Sequence, residues 1–527
     1  MNTATADFSL QGTGRRSHHP IFAVFAVLLG PFIVGFHSRM FGIGLVDLRG
    51  AFGLSVDESS WINTLSTAPQ ILVAPCVAWL VATYGVRRVT VVPALIYAGV
   101  SLIIPFQLSL DVLAVLHIIH GTLLGIFVPA TLMIIFRNLP PKWWISAIAV
   151  YAFRSAFTVN SGTALLDFYV QHVGWEFLYW QDVVLAPLMA VFAILGAPHE
   201  RVNQDFVRRA DWGGMLLLGC GMAMLFTGID QGNRLDWLAS SFVVSCLVGG
   251  GVLLVAFVIN EYRVEFPWAH VSAIGARNVV LLLLIACFYL FTSQSNGALI
   301  PNYLTNIVAL RPEQIGATLV IWCCVPLIII TPVAVWALHR TDGRWVLMIG
   351  LCCFAIAALL GTSLTSQWSG DDFRTIAVLQ GAGHILTFLP IITMIVASGD
   401  PKQAAALAAY IQVVRLLGSE VANALMTTFL RKREQLHSFL TGLNVERGTE
   451  TTTSALAALT HKFQAFGQAT AQMRGLTSLT QRVQAQANVL SYIDGFWLTF
   501  YAALFGLVLL AFVKRPAHGP LTPHNVS

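Results

Sequence analysis

Fourteen windows of roughly 20 mostly apolar residues recur along this chain, and no other feature constrains its fold as strongly. They fall at 21–46, 58–81, 89–107, 111–136, 146–169, 177–196, 212–229, 239–259, 278–300, 314–338, 345–364, 373–397, 403–429 and 493–513. Each can cross the hydrocarbon core as a helix. Within lipid the backbone must satisfy its own hydrogen bonds, so the choice is helices or a closed barrel. Unbroken apolar runs of this length, rather than alternating ones, select helices. Charged residues make up only 10% of the 527, against about 25% in a soluble domain. The expected class is an all-α polytopic membrane protein.

The basic residues orient the spans. Arg15, Arg16, Arg87, Arg88, Arg137, Arg208, Arg209, Arg340, Arg344, Lys514 and Arg515 fall on one side of a fourteen-span layout. The short loops of the other side carry only Arg49, Arg234, Arg311 and Arg374. The positive-inside bias then puts both termini in the cytoplasm. The expected division is a tail 1–20, a six-helix bundle 21–200, a linker 201–277 with two extra spans, a second six-helix bundle 278–513, and a tail 514–527. The two bundles are expected to be pseudo-symmetric. Residues 430–492 form a long polar segment inside the second bundle, read as a semi-ordered periplasmic loop with helical spacing at 454–466 and 476–490. The net charge of +5 gives no argument for nucleic acid, because the spans dictate where Lys and Arg stand. All eight cysteines lie in apolar runs without CxxC spacing and read as packing residues, not ligands.

Several segments together resemble the fourteen-helix drug/proton antiporter branch of the major facilitator superfamily. They are "RADWGGMLLLGCGMAMLFTGIDQGNRLDW", "LQGAGHILTFLPI" and "AAYIQVVRLLGSEVANAL", the last followed by "RKREQLHSFL". The resemblance covers nearly the whole chain from Ile21. It implies multidrug efflux by antiport, with a proton-binding Asp in the first span. Here His37 stands at that position. The loop after span two normally reads Gly-x-Leu-Ala-Asp-Arg-x-Gly-x-Arg-Arg. This chain has "AWLVATYGVRR", keeping only Gly85, Arg87 and Arg88 as the gating-loop candidates. His117 and His120 replace the Arg and Gln of the fourth span, and Asn160 and Ser161 replace the Gly-Pro of the fifth.

Histidine titrates near neutrality without a large shift, so His37, His117 and His120 are the proton-coupling candidates. His117 and His120 share a helix face at i, i+3. Arg39, Arg154 and Arg415 lie inside apolar helices and cannot discharge their positive charge by deprotonation. Asp167, Asp182 and Glu420 are their nearest candidate partners, with Asp167 and Asp182 placed toward the outer ends. Fixed charge at mid-membrane is therefore more positive than negative, which favours an anionic or neutral aromatic substrate over a cationic drug. Gln412, Gln294, Asn296 and Asn63 are the further substrate-lining candidates. No metal site is expected, and His37 is expected to face a water-filled central cavity.

No G-x-x-x-x-G-K-[ST] loop occurs, so uphill transport must draw on an ion gradient. The expectation is a proton-coupled exporter of a small amphipathic compound in a bacterial inner membrane, not an enzyme, with no cofactor. Its expected partners are the substrate, protons, the lipid bilayer and a periplasmic adaptor protein at 430–492. Two alternatives stay open: an uncoupled or importing organic-anion facilitator, and a non-transporting membrane sensor.

Overall fold

A computed structural model describes residues 19–399, 403–443, 445 and 449–515. Most of both tails lies outside these residues. The described residues are helical, with no strand among them. In chain order the long helices are α1 Pro20–Phe52, α2 Val56–Tyr84, α3 Val86–Phe106, α4 Leu110–Asn138, α5 Trp144–Phe168, α6 Phe177–Gly196, α7 Trp212–Gly232 and α8 Ser241–Arg263. They continue with α9 Arg277–Asn306, α10 Gln314–Arg340, α11 Gly343–Gly361, α12 Gly370–Ser398, α13 Ala404–Leu443 and α14 Gln468–Ala511.

Thirteen of these are long and apolar enough to cross a membrane. The exception is α5. It has 25 residues, enough to span, but Arg154, Thr158, Asn160, Ser161 and Thr163 dilute its hydropathy. All five are buried, so the polar face is turned into the protein and not toward lipid. An even count of crossings returns the last helix to the side of the first. There Asn278 Nδ2, at the start of α9, donates to the Lys514 carbonyl at 2.9 Å.

Helices α1 to α6 pack among themselves, as do α9 to α14. The two sets meet where α5 lies against α10 and α12, and where α2 lies against α13. Helix α7 covers the α2–α13 seam, and α8 packs mainly on α7, with Phe242 also meeting Trp61 of α2 at 5.4 Å between ring centroids and little of its surface buried. Helices α4 and α12 are the most enclosed.

Small residues set the closest approaches, as expected where lipid supplies no hydrophobic force between helices. Helix α4 meets α2 through Gly121 and Gly125. A Cβ on Gly121 would collide with the Ser66 carbonyl oxygen, and one on Gly125 would come within 2.6 Å of that of Gln70. Between the halves, a Cβ on Gly316 would lie 2.7 Å from Ala164 Cα. Start signals are conventional: Ser55 caps α2 with a reciprocal Glu58 box, and Asp342 caps α11.

The segment 430–492 is not an irregular loop. Helix α13 runs on to Leu443, a short helix covers Glu450–His461, and α14 begins at Gln468. At about 1.5 Å per residue, α13 and α14 are each roughly twice the ~30 Å hydrocarbon thickness. Their overhang forms a helical hairpin. Asp494 Oδ2 ties it across, accepting from Arg433 Nε at 2.5 Å and lying 2.7 Å from His437 Nε2. Ala, Leu and Gln favour helix here, and residues 430–440 hold no Gly or Pro to stop α13 at the membrane surface.

Replacing Gly121 by Leu drives a side chain into the α2 backbone. It is expected to cost about 1–3 kcal/mol or more. Gly42→Leu has nothing within 4 Å to strike and serves as the control. Thermal unfolding of purified protein should show a lowered midpoint for the first and an unchanged one for the second.

Candidate functional site

The three candidate histidines converge, but inside the first half and not on a central cavity. His37 of α1 and His120 of α4 have ring centroids 4.5 Å apart, and His117 follows at 6.5 Å from His120. All three are at most 2% exposed, which corrects the expected placement of His37 in a water-filled path. The helix-one face carrying His37 packs onto α4 and α6, and the histidine follows it.

The missing acid is present after all, on another helix. Asp182 of α6, fully buried, places Oδ2 3.5 Å from His37 Nδ1. Tyr97 of α3 donates its hydroxyl to the same oxygen at 2.7 Å. Tyr97 also stacks on His120, with centroids 4.2 Å apart. His120 Nε2 is 3.0 Å from Ser101 Oγ. His117 has both ring nitrogens engaged, Nδ1 with the Leu113 carbonyl at 2.8 Å and Nε2 with the Tyr179 hydroxyl at 3.0 Å. It therefore orients the pocket, while His37, His120 and Asp182 keep open capacity: both His37 nitrogens, His120 Nδ1 and Asp182 Oδ1 have no hydrogen bond. One ligating atom from each of these three lies within 4.8 Å of the others. Two histidines and one carboxylate are a set that holds divalent metals in other proteins, which goes against the expectation of no metal site, and the same three groups can also hold a proton.

The arginines stand elsewhere, at the junction of the halves. Arg39, two residues from His37 on α1, donates from Nη1 to the Gly297 carbonyl of α9 at 3.2 Å. That carbonyl belongs to a π-turn, Ser295–Leu299, which also carries Asn296. Gln294 is buried beside it, and Asn296 Nδ2 donates across the halves to Asn160 Oδ1 at 3.3 Å.

Arg154 of α5 lies over the Tyr151 ring, 5.3 Å from its centroid. Arg415 Nε donates to Gln412 Oε1 at 2.8 Å. Among the described residues no carboxylate pairs with Arg39, Arg154 or Arg415. Asp182 is held by His37 and Tyr97, Asp167 accepts from Gln171, and Glu420 lies near Asp230. Tyr289 and His384 complete this cluster. The Tyr289 hydroxyl is 3.0 Å from His384 Nδ1, and Tyr289 stacks on Phe388. Asn63 does not join it, since its Nδ2 donates to Asp230 of α7 at 3.3 Å.

The α2–α3 connection is anchored within the first half. Gly85 has φ +85°, a conformation that side chains rarely adopt, and an added Cβ would meet Glu200 Cβ at 2.9 Å. Arg137 bridges the site, with Nη2 3.2 Å from Glu200 Oε2 and Nη1 donating to the Val81 carbonyl at 3.1 Å. Burial raises the Glu200 carboxyl above its ordinary range, and the Arg137 charge pulls it back in part. Arg88 Nη2 lies 3.5 Å from His199 Nε2, and Arg87 is half-buried beside it.

Sequence reasoning missed Asp182 as the partner of His37, and missed Tyr97, Tyr151, Tyr179 and Tyr289. Asp182 carried a signal, as an acid inside an apolar helix. The tyrosines carried none, because phenols are common in membrane helices.

The family profile described as "Major Facilitator Superfamily" matches residues 27–423. The multidrug export protein EmrB of Haemophilus influenzae is 21% identical over 499 residues, covering 94% of this chain and 96% of that protein. The fatty acid resistance protein FarB of Neisseria gonorrhoeae is 20% identical over 402 residues, covering 74% and 76%. Among solved structures, the proton:xylose symporter XylE superposes with a TM-score of 0.57 at 12% identity, covering 94% of this chain and 96% of that one, which shows a shared fold.

Tyr97→Phe removes the hydroxyl that Asp182 accepts from and leaves a buried carboxylate with one partner fewer. The expected loss is about 1–3 kcal/mol. It should appear as a lowered thermal midpoint in purified protein, whereas Tyr84→Phe, at the end of α2, should leave the midpoint unchanged.

Proposed function

Because the chain belongs to the major facilitator superfamily, a family of transporters, we propose that it is a secondary active exporter exchanging protons for a small amphipathic compound, anionic or neutral, across a bacterial inner membrane. The observation that carries this reading is a division of labour. A closed imidazole–carboxylate pocket lies in the first half, and an arginine cluster without a carboxylate lies between the halves. The first has the chemistry to hold a proton, the second to hold a negative charge. That the relative FarB is a fatty acid resistance protein accords with an anionic substrate.

Coupling follows from charge. With one proton, the His37–Asp182 pair is neutral overall. Without it, a bare carboxylate is left in a closed pocket, which is costly. Helix α1 carries His37 toward that pocket and Arg39 toward the Gly297 carbonyl of the other half. Loss of the proton therefore shifts the helix that clasps the halves together, and the clasp opens on one side of the membrane. His120 passes the proton onward, and His117 fixes the rings. Gln412, Gln294 and Asn296 line the substrate side. The basic bias places the termini in the cytoplasm and the α13–α14 hairpin in the periplasm. There exposed Phe439, Leu443, Phe466, Met473 and Leu476 offer an adaptor protein an apolar face.

Everted membrane vesicles energised by a pH gradient test the reading. Aromatic acids should accumulate, cationic dyes should not, and a protonophore should abolish the uptake. His37→Asn and Asp182→Asn should each lower accumulation at least tenfold. Unchanged accumulation in both variants would remove the proton role from this pocket. Equilibration without accumulation in the wild type would instead make the protein an organic-anion facilitator.

A further inference from the structure

The pocket of the first half holds more unsatisfied polar atoms than one proton can serve. Both ring nitrogens of His37, His120 Nδ1 and Asp182 Oδ1 are buried without a hydrogen bond. Such orphans are rare, because each has given up water for nothing. A proton shared between His37 and Asp182 still leaves His120 Nδ1 unmatched.

We propose that His37, His120 and Asp182 together bind one divalent transition-metal ion of the zinc class. The inference rests on the geometry of the pocket and goes beyond the transport reading.

The spacing is that of ligands rather than of hydrogen-bond partners. His37 Nδ1 and Asp182 Oδ2 are 3.5 Å apart. An N–H···O bond is shorter, about 2.7–3.2 Å. Two ligands on a tetrahedral zinc, each at about 2.0–2.1 Å, stand roughly 3.4 Å from each other. One ligating atom from each of the three residues lies within 4.8 Å of the others, so small ring rotations close the set. The ion sits among its ligand atoms and needs no further cavity.

The surroundings orient these ligands as the outer groups of a metal site do. With His120 Nε2 donating to Ser101 Oγ at 3.0 Å, the Nδ1 lone pair is left for the ion. The Tyr97 hydroxyl fixes the Asp182 carboxylate, and the Phe41 ring stacks on His37. Two neutral imidazoles and one carboxylate give the same net charge as the two-histidine, one-glutamate zinc centres of other proteins. Imidazole nitrogen favours zinc, iron, cobalt or nickel over magnesium and calcium, which take oxygen ligands. The three ligands come from α1, α4 and α6, so a bound ion ties three helices of the first half together.

The pocket is closed, so the ion is expected to enter as these helices assemble and to survive purification. Plasma mass spectrometry tests this on the full chain, expressed without a polyhistidine tag in zinc-supplemented medium and purified without chelator. Zinc should be close to equimolar with the chain. His37→Asn, His120→Asn and Asp182→Asn should each lower it at least fivefold. His437→Asn, which breaks a contact with Asp494 on the α13–α14 hairpin, should leave it unchanged. Protein grown in cobalt should show the intense visible bands of a low-coordinate Co²⁺ centre. Zinc below a tenth of the chain concentration, or equal zinc in wild type and the folded variants, would overturn the proposal. Should the variants fail to fold, the cobalt spectrum of wild type decides it, since the weak bands of a six-coordinate surface ion would overturn it too. Ion and proton compete for the same atoms, which separates this inference from the transport reading. If zinc binds here and gradient-driven accumulation persists in the loaded protein, the proton role leaves this pocket and the metal site stands. If accumulation depends on His37 and Asp182 while no zinc is held, the metal site fails and the transport reading stands.

Discussion

Holding charge inside a bilayer is costly, and that cost determines where the polar residues of this chain stand. The buried contact between Asp182 and His37 is the sharpest instance. A carboxylate on α6 persists in a closed pocket because an imidazole from α1 and a phenol from α3 surround it. Three helices of the first half are thereby fixed in register around one atom, Asp182 Oδ2. Glycines admit the remaining close approaches, with Gly121 and Gly125 bringing α4 onto α2.

The same cost, unmet, marks the junction between the halves. Arg39, Arg154 and Arg415 have carbonyl, ring and amide partners but no acid among the described residues. Positive charge retained where the halves meet is the basis of the proposal that the substrate is an anion. Helix α1 links this region to the proton pocket, since residues two apart on a helix point to different faces. His37 and Arg39 use that geometry to address separate halves of the protein.

Much of this was legible in the chain. Apolar run length gave the fourteen helices, and the one that falls short in hydropathy, α5, does so because its polar residues face inward. His37, His117 and His120 were marked by their positions, and they do meet. Their surroundings were not legible. Helix α1 is 33 residues long, more than a bilayer needs, so counting from its start gave no reliable depth for His37. The same uncertainty put Asp182 at an outer end and hid its pairing. The hairpin after Phe429 was legible in part, from the helical spacing at 454–466 and 476–490, while the run of α13 on through Arg431–Leu440 was not expected. Tertiary neighbours such as Tyr289 beside His384 leave no trace in spacing, because their contact joins helices 95 residues apart.

The central claim is that proton and substrate occupy separate places joined by one helix. Substrate exchange in proteoliposomes, with equal substrate concentrations and no pH gradient, tests it most directly when Asp182→Asn is set beside wild type. The account predicts that the variant keeps exchange near the wild-type rate while losing gradient-driven accumulation. Loss of both activities in a folded variant, or retention of both, would contradict it.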